Sequence, residues 1–542
     1  MAHLPPPDAP PLDPAVHARR WWTLAVLCLS LLVIVMDNTI LNVAIPSLVT
    51  DLDATNSQVQ WIIDSYALVF AGLLLTTGSL SDRFGRKGAL QVGIALFGIG
   101  SVLAAMATSA NQLIATRAFM GIGGALIMPS TLSILTNVFR DPRERGRAIA
   151  IWAGFSGVGV ALGPVTGGLL LKHFDWSSVF WVNLPIGLAA LVLGAVVIPT
   201  SRDANQGRLD PLGSLLSIVG LASLLFGIIE GPAKGWTDPL VIGAFAAGVA
   251  LIGAFVAWEL HTDHPMLDMR FFRNARFTAA NSAVTLTFFA MFGSMFLMTQ
   301  YWQFVHGYTP LEAGVRIIPH ALTLMIVAPM SARAVERFGT KRVVTGGLLA
   351  ISLGIAMLST IGRTTPYIVV IAMFCFMAAG MAMTMAPATE SVMGSLPADK
   401  AGVGSAVNDT TRQVGGALGI AVIGSAVSSV YSSRISDLAT RFGLDAGALH
   451  EARSSLGGAL REAETLGSDG PAFADAARDG FVHGLNWGMR FSALIVLGAA
   501  LLVWKFLPAR AAGIPASPAG AREVADVADV DVAVAAGFAV GD

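Results

Sequence analysis

The sequence predicts an all-α integral membrane protein built from two six-helix bundles, with two further transmembrane helices inserted between them. Three observations carry this. Of 542 residues, 54% are hydrophobic and only 13% charged, too few charges to cover a soluble protein of this size. Fourteen apolar runs approach the ~20 residues needed to cross ~30 Å of hydrocarbon. A short motif after the second run returns after the tenth.

The runs lie near 22–46, 58–80, 89–108, 111–135, 147–171, 177–198, 210–230, 239–258, 277–302, 310–331, 342–361, 366–389, 403–430 and 484–506. The first follows a Pro-rich segment, MAHLPPPDAPPLDPAVHARR, and is too long for a signal-peptide core, so it reads as an uncleaved span. With the N-terminus inside, inner segments hold 22 of the 34 Lys and Arg residues and short outer loops only three. This bias predicts a multi-pass protein of the cytoplasmic (inner) membrane with both termini cytoplasmic. Between the last two spans, LATRFGLDAGALHEARSSLGGALREAETLG carries apolar residues at helical spacing, which predicts a helical hairpin on the outer face. The tail from 508, rich in Ala, Val and Asp, reads as disordered.

DRFGRK at 82–87 and ERFGTK at 336–341 share acid-Arg-Phe-Gly-x-Lys at an offset of 254, and ALG at 161–163 returns at 417–419, offset 256. These offsets pair span 2 with 10 and span 5 with 13. The expected organisation is therefore an N-terminal tail (1–21), a first bundle (22–200), an inserted pair (201–265), a second bundle (266–507) containing the outer loop 431–480, and a cytoplasmic tail (508–542). Paired bundles around a midplane site are how many secondary transporters alternate access. No GxxxxGK[ST] loop is present, which argues against an ATP-driven pump. A net charge of −1 offers no field for nucleic acid, and Cys28 and Cys375 form neither a disulfide framework nor a metal-ligand spacing.

VMDNTILNVAIP (35–46), GSLSDRFGRKGAL (78–90), RAFMGIGGAL (117–126), GVALGPVTGG (159–168), FWVNLPIG (180–187), YWQFVHGYTPLEAG (301–314) and NDTTRQVGGALG (408–419) together resemble the major facilitator superfamily, in its fourteen-span drug:proton antiporter branch. Asp64 in span two, Asp409 in span thirteen and the long outer loop resemble a narrower subgroup that exports lipophilic cations such as quaternary ammonium biocides and dyes. The resemblance implies a proton-coupled multidrug exporter working as a monomer in the bilayer on small lipophilic, cationic substrates. It implies no enzymatic activity and no catalytic residues. The proton gradient replaces a cofactor, and no metal is needed. A narrow exporter of one antibiotic or metabolite shares every motif; a non-transporting receptor or scaffold is the third reading.

Several residues are expensive in hydrocarbon and so candidates for function. A carboxyl held from water is disfavoured as an anion, so Asp37 and Asp64 can take and release protons. Arg117 in span four needs an acid or carbonyl partner, with Asp37 the first candidate. Asp409 lies one turn from Arg412, and a local ion pair explains both as well as coupling does. These four sites, Asp37, Asp64, Arg117 and Asp409, are the expected proton-coupling set. Gly159, Gly163 and Gly167 form a smooth ridge at i+4 beside Pro164 and Gly168, which reads as a conformational interface. Asp82, Arg83, Arg86 and Lys87 cluster at a cytoplasmic turn and are read with the conformational set; the resemblance makes Gly78, Asp82 and Arg86 a latch between the halves in one state.

For the substrate, Trp61, Tyr66, Phe155, Phe288, Phe292 and Trp302 offer aromatic faces, Met385 soft surface, and Asp64, Glu390 and Asp409 negative charge. Thr309-Pro310-Leu311-Glu312 reads as a capping box, which explains Glu312 without a transport role.

Overall fold

The computed structural model describes residues 14–139, 141–200, 210–263, 265, 267–393, 395 and 401–507, and among these it contains no strand. The N-terminal half comprises α1 (Pro14–Asp51), α2 (Asn56–Phe84), α3 (Arg86–Ala105), α4 (Ala110–Val138), α5 (Pro142–His173), α6 (Ser178–Trp181) and α7 (Asn183–Val197). An inserted pair follows, α8 (Pro211–Lys234) and α9 (Pro239–His261). The C-terminal half comprises α10 (Ala275–Gln300), α11 (Pro310–Arg316), α12 (Ile318–Phe338), α13 (Thr340–Leu358), α14 (Tyr367–Met393), α15 (Ala401–Phe442), α16 (Ala446–Ser454), α17 (Leu456–Thr465) and α18 (Gly470–Phe506).

Among the described residues, twelve helical segments are long and apolar enough to cross a membrane. Helices α2 and α5, of 29 and 32 residues, occupy the second and fifth predicted runs but fall outside that twelve. The sixth and tenth runs are each broken. The sixth divides at Val182 into α6 and α7, and the tenth divides at Ile317, just before Pro319, into α11 and α12.

The sequence repeat is also a structural repeat. Phe84 ends α2 and Arg86 starts α3 across Gly85 at φ 112°, while Phe338 ends α12 and Thr340 starts α13 across Gly339 at φ 82°. Only glycine adopts such values without strain, so each half uses Gly to join two spans with a one-residue turn. The predicted capping box forms, Thr309 capping Glu312 at α11, and a second one that was not predicted, Thr55 with Gln58, opens α2.

The outer loop is shorter than the predicted 431–480. Helix α15 continues to Phe442 and α18 already begins at Gly470, because no Gly or Pro follows Tyr431 until Gly443 and Pro471 suits a helix start. The predicted hairpin is α16 and α17. It is pinned to α15 by Tyr431, whose hydroxyl donates to the Ala452 carbonyl at 3.0 Å.

Helix registers place both described chain ends on one side. Helices α2 and α15 run antiparallel, as do α15 and α18, where Gly484 lies on Val427 and Gly488 on Ile423. The halves meet at the opposite, far end. There Gln303 donates to the Val43 carbonyl at 3.0 Å, and Arg461 of α17 donates to the Val49 carbonyl at 2.9 Å while pairing with Asp53 at 3.0 Å. Gly168 of α5 lies against the backbone of Leu311, and Gly314 against the Pro164 carbonyl. Towards the termini, Phe155 and Leu162 on α5 and Met325 and Met330 on α12 are exposed instead.

The inserted pair covers the seam between halves. Helix α8 lies along α2, with Ser57 donating to the Ile229 carbonyl at 3.3 Å, Gly72 against Ile218, and Thr76 hydrogen-bonded to Ser214. Its other flank meets α15: Leu225 and Ile229 form one cluster with Ala67 and Leu68 of α2 and Ala417 and Ala421 of α15.

Candidate functional site

Arg117, fully buried on α4, donates from Nη1 to Asp37 Oδ2 on α1 at 2.5 Å and from Nε to the Ile62 carbonyl of α2 at 3.2 Å. Its guanidinium lies 4.5 Å from the centre of the Tyr66 ring, a cation–π contact that compensates lost hydration. Gly121 and Gly124, one and two turns along α4, make room: a Cβ at Gly121 would lie 2.8 Å from the Tyr66 carbonyl, and one at Gly124 2.8 Å from the Tyr66 hydroxyl. Glycine therefore lets α2 approach closely enough for its ring and carbonyl to meet Arg117.

Asp37 has a second partner. Asn183, the first residue of α7, donates from Nδ2 to Asp37 Oδ1 at 2.8 Å and to Ser101 Oγ of α3 at 3.1 Å; the Ser101 hydroxyl donates to the Phe180 carbonyl at 2.8 Å. Asn183 and Ser101 were missed in the sequence as site residues. The available signal was FWVNLPIG, where an amide opens a helix after a break in an otherwise apolar run.

Asp64 is placed differently. It is 0% exposed, and neither carboxyl oxygen has a hydrogen-bond partner. One turn before it, Gln60 accepts from Ser425 of α15 at 3.4 Å; one turn after it, Leu68 joins the cluster with Ala417 and Ala421. Asp64 thus occupies the stripe of α2 that faces α15 across the seam, away from the stripe bearing Tyr66.

A second polar group sits in the C-terminal half. Arg412 pairs with Asp409 at 3.4 Å and donates to Thr389 Oγ1 at 3.3 Å, while its guanidinium lies 5.6 Å from the Phe288 ring centre. Phe288 stacks on Phe292 at 6.1 Å, and Gly416 accommodates Phe292. Met385 is half-buried on α14, and Glu390, one residue beyond Thr389, is exposed. Other candidates are not gathered here. Trp61 packs on α8 beside Phe226, Trp302 is buried against Phe374, and Phe155 is exposed on α5.

The glycine ridge of α5 faces α1. A Cβ at Gly159 would lie 2.9 Å from Val35, and one at Gly167 2.7 Å from Ile40, while Gly163 is seated against Thr39, whose hydroxyl reaches the Gly159 carbonyl at 3.3 Å. Pro164 and Gly168, on a neighbouring stripe, face α11 of the other half. At the turn after α2, Arg86 is buried, Lys87 donates to the Ala195 carbonyl at 2.7 Å, and Gly78 lies 3.7 Å from Pro129 by its would-be Cβ. The side chains of Asp82 and Arg83 lie outside the described residues. No group of three or more His, Cys, Asp or Glu residues suited to a metal ion occurs among the described residues.

Helices able to cross a membrane, with the buried Asp37–Arg117 pair held between them, place the chain in the class of polytopic membrane proteins. Residues 27–420 match the model of the Major Facilitator Superfamily, and the chain belongs to that family. It is 35% identical to the multidrug efflux pump LfrA of Mycolicibacterium smegmatis, over 92% of this chain and 98% of that protein. It is 33% identical to the methyl viologen resistance protein SmvA of Salmonella typhimurium over 90% of this chain and 98% of that one. With the tetracenomycin C resistance and export protein of Streptomyces glaucescens it shares 32% over 93% and 96%. Among solved structures, an inward-facing, occupied bacterial homolog of the human lysosomal transporter Spinster aligns with a TM-score of 0.63 at 17% identity, over 90% of this chain and 96% of that one. This likeness concerns the fold alone.

Proposed function

We propose that this chain is a proton-driven antiporter that exports lipophilic, cationic compounds across the cytoplasmic membrane through fourteen spans, with both termini in the cytoplasm. The observation that carries the reading is the solvent-free Asp37–Arg117 pair, in a chain whose relatives bear the names of multidrug and methyl viologen resistance proteins. A carboxylate in such a place is stable only while its cation stays; a proton on Asp37 weakens the tie and frees Arg117. Asp64, buried and unpaired at the seam, is the second proton site in this reading, since an unpaired buried anion is costly. A cationic substrate reaching the seam favours release of the Asp64 proton, which gives exchange. Contact at the far end and exposed α5 and α12 faces near the termini fit a cavity open to the cytoplasm.

The driving force suffices. One charge moved across 100 mV yields ~2.3 kcal/mol, and each ~1.4 kcal/mol is a tenfold gradient. Asp409 and Arg412, with Phe288 and Phe292, form the cation-contacting wall of the second half in this reading; Gly78, Asp82 and Arg86 latch the two halves in one state. A narrower reading, export of a single antibiotic, is favoured by the relative named for tetracenomycin C. Purified protein in liposomes, given an imposed pH step and a panel of dyes, biocides and antibiotics, separates the two. Transport indifferent to collapse of the proton gradient would refute both.

A further inference from the structure

We infer that Asn183 selects the oxygen of Asp37 that takes the proton, and so makes proton uptake and release of Arg117 a single event. The inference rests on the reading of Asp37 as a proton carrier.

The geometry is a closed account of donors. The Ser101 hydroxyl spends its hydrogen on the Phe180 carbonyl at 2.8 Å, so Ser101 Oγ can only accept from Asn183 at 3.1 Å. That fixes the amide: the NH2 end of Asn183, not its carbonyl, lies towards Ser101, and its second hydrogen meets Asp37 Oδ1 at 2.8 Å. Turned over, the amide would set its oxygen against two acceptors. Oδ1 therefore always faces a donor and is held in the role of a carbonyl oxygen. A proton placed there would sit beside the Asn183 N–H without an acceptor of its own.

The other oxygen, Oδ2, is the one Arg117 grips. A proton arriving on Oδ2 converts the carboxylate to a neutral carboxyl and takes the place of the guanidinium N–H. The salt bridge is lost in the same step, and Arg117 retains the Ile62 carbonyl and the Tyr66 ring. The charged and titratable groups that meet Asp37 are Arg117 from α4 and, across the Arg117 guanidinium, Tyr66 from α2; Asn183 from α7 is its other hydrogen-bond partner and is itself held by Ser101 from α3. Without Asn183 the carboxyl can rotate or accept a proton on Oδ1 while Arg117 stays bound to Oδ2. Protons then bind and leave without the movement that should accompany them. Asn183 is thus a positioning residue whose loss uncouples the pump rather than stopping it.

The test uses the full chain in liposomes, with a trapped pH dye and ethidium as the lipophilic cation. Asn183→Leu, close in size but without a donor, should still move ethidium downhill. Its substrate-free proton leak should rise by about tenfold, the scale of losing one hydrogen bond to a charged group, and the steady-state ethidium gradient should fall. Asn183→Gln, which keeps an amide donor, should restore part of the coupling. Ser101→Ala, which removes the acceptor that orients the amide, should leak in the same direction, and it decides the matter should Asn183→Leu fail to fold. A leak as low as wild type in Asn183→Leu, or in Ser101→Ala where Leu is not tolerated, overturns the inference. Normal pumping by Asp37→Asn would instead overturn the underlying proton-carrier reading, so the two failures are distinguishable.

Discussion

Arg117 Nη1 and Asp37 Oδ2 meet at 2.5 Å with their side chains 0% and 1% exposed. Removing either partner leaves the other charge buried alone, which costs about 3–5 kcal/mol. Arg117→Ala should therefore both abolish gradient-driven efflux and lower thermal stability. Asp37→Asn should lose efflux while still inserting, because the amide can still accept from Arg117. Efflux in liposomes and the melting temperature in detergent, measured side by side, check both.

Asp64 should behave in the opposite way. It has no ion pair to lose, so Asp64→Asn is close to an isosteric exchange for the protonated acid. Its stability should change by less than about 0.5 kcal/mol, while export of cationic dyes driven by a pH step falls at least tenfold. A melting temperature well below wild type would show that Asp64 has a structural partner instead.

The contrast between these acids marks how far the sequence could be read. Both were legible as misplaced charges, because hydropathy alone exposes an acid in an apolar run. Their different surroundings were not, since partner choice depends on which helix faces which. The Arg117–Asp37 pairing was anticipated because an arginine in an apolar run needs an acid or carbonyl partner. Asn183 escaped notice: a neutral amide costs far less in the membrane than a charge and raises no alarm in a hydropathy scan. Helix lengths beyond the bilayer, as in α15 and α18, were also hidden, because hydropathy reports the membrane boundary and not where the helix stops. Trp61, chosen as an aromatic candidate, turned out to face α8; a single span does not declare which of its faces an inserted helix will cover.

The seal at the far end depends on the absence of side chains. A Cβ at Gly168 would come within 2.8 Å of both Leu311 N and the Pro310 carbonyl, and backbone cannot give way as a side-chain end can. Gly168→Ala should push α5 and α11 apart and favour the arrangement open at the far end. Cysteines introduced at positions 168 neighbours such as Thr166, reacted with a membrane-impermeant maleimide from outside the cell, should label faster in that variant. Unchanged labelling would mean that the helices shift together and the seal survives.

At the end bearing the termini, Arg20 holds Glu144 with two hydrogen bonds, Nε to Oε2 and Nη2 to Oε1, both at 3.0 Å. This fork keeps the Glu144 carboxyl below its ordinary value of 4.5, the hydrogen bond from Arg20 being the main cause. A lowered folded value means that the contribution to stability is complete above about pH 4.5 and is lost as the pH falls through the folded value. Melting temperatures of wild type and Glu144→Gln should therefore differ by a constant amount from pH 7 down to about 4.5 and converge below it. Exposure and salt keep the difference small. A gap that widens on acidification would contradict the sign.

The inserted pair makes the last prediction, because α8 touches both halves at once. Leu225 and Ile229 of α8 are 0% and 1% exposed, wedged between Ala67 and Leu68 of α2 and Ala417 and Ala421 of α15. Inside a bilayer, lipid replaces water as the competing environment, so little hydrophobic transfer energy holds α8 in place; packing and the small residues on its partners do. Leu225→Ala should consequently cost less than the ~2–5 kcal/mol typical of a soluble core. Its effect should appear in transport, since the loosened wall lies beside the stripe of α2 that carries Asp64 and lets lipid or water reach that acid. The expected result is a near-normal melting temperature with a raised proton leak, and Leu225→Met, which refills the space, should repair the leak. If Leu225→Ala pumped as tightly as wild type, α8 would be a passive neighbour and Asp64 would owe its isolation to α15 alone.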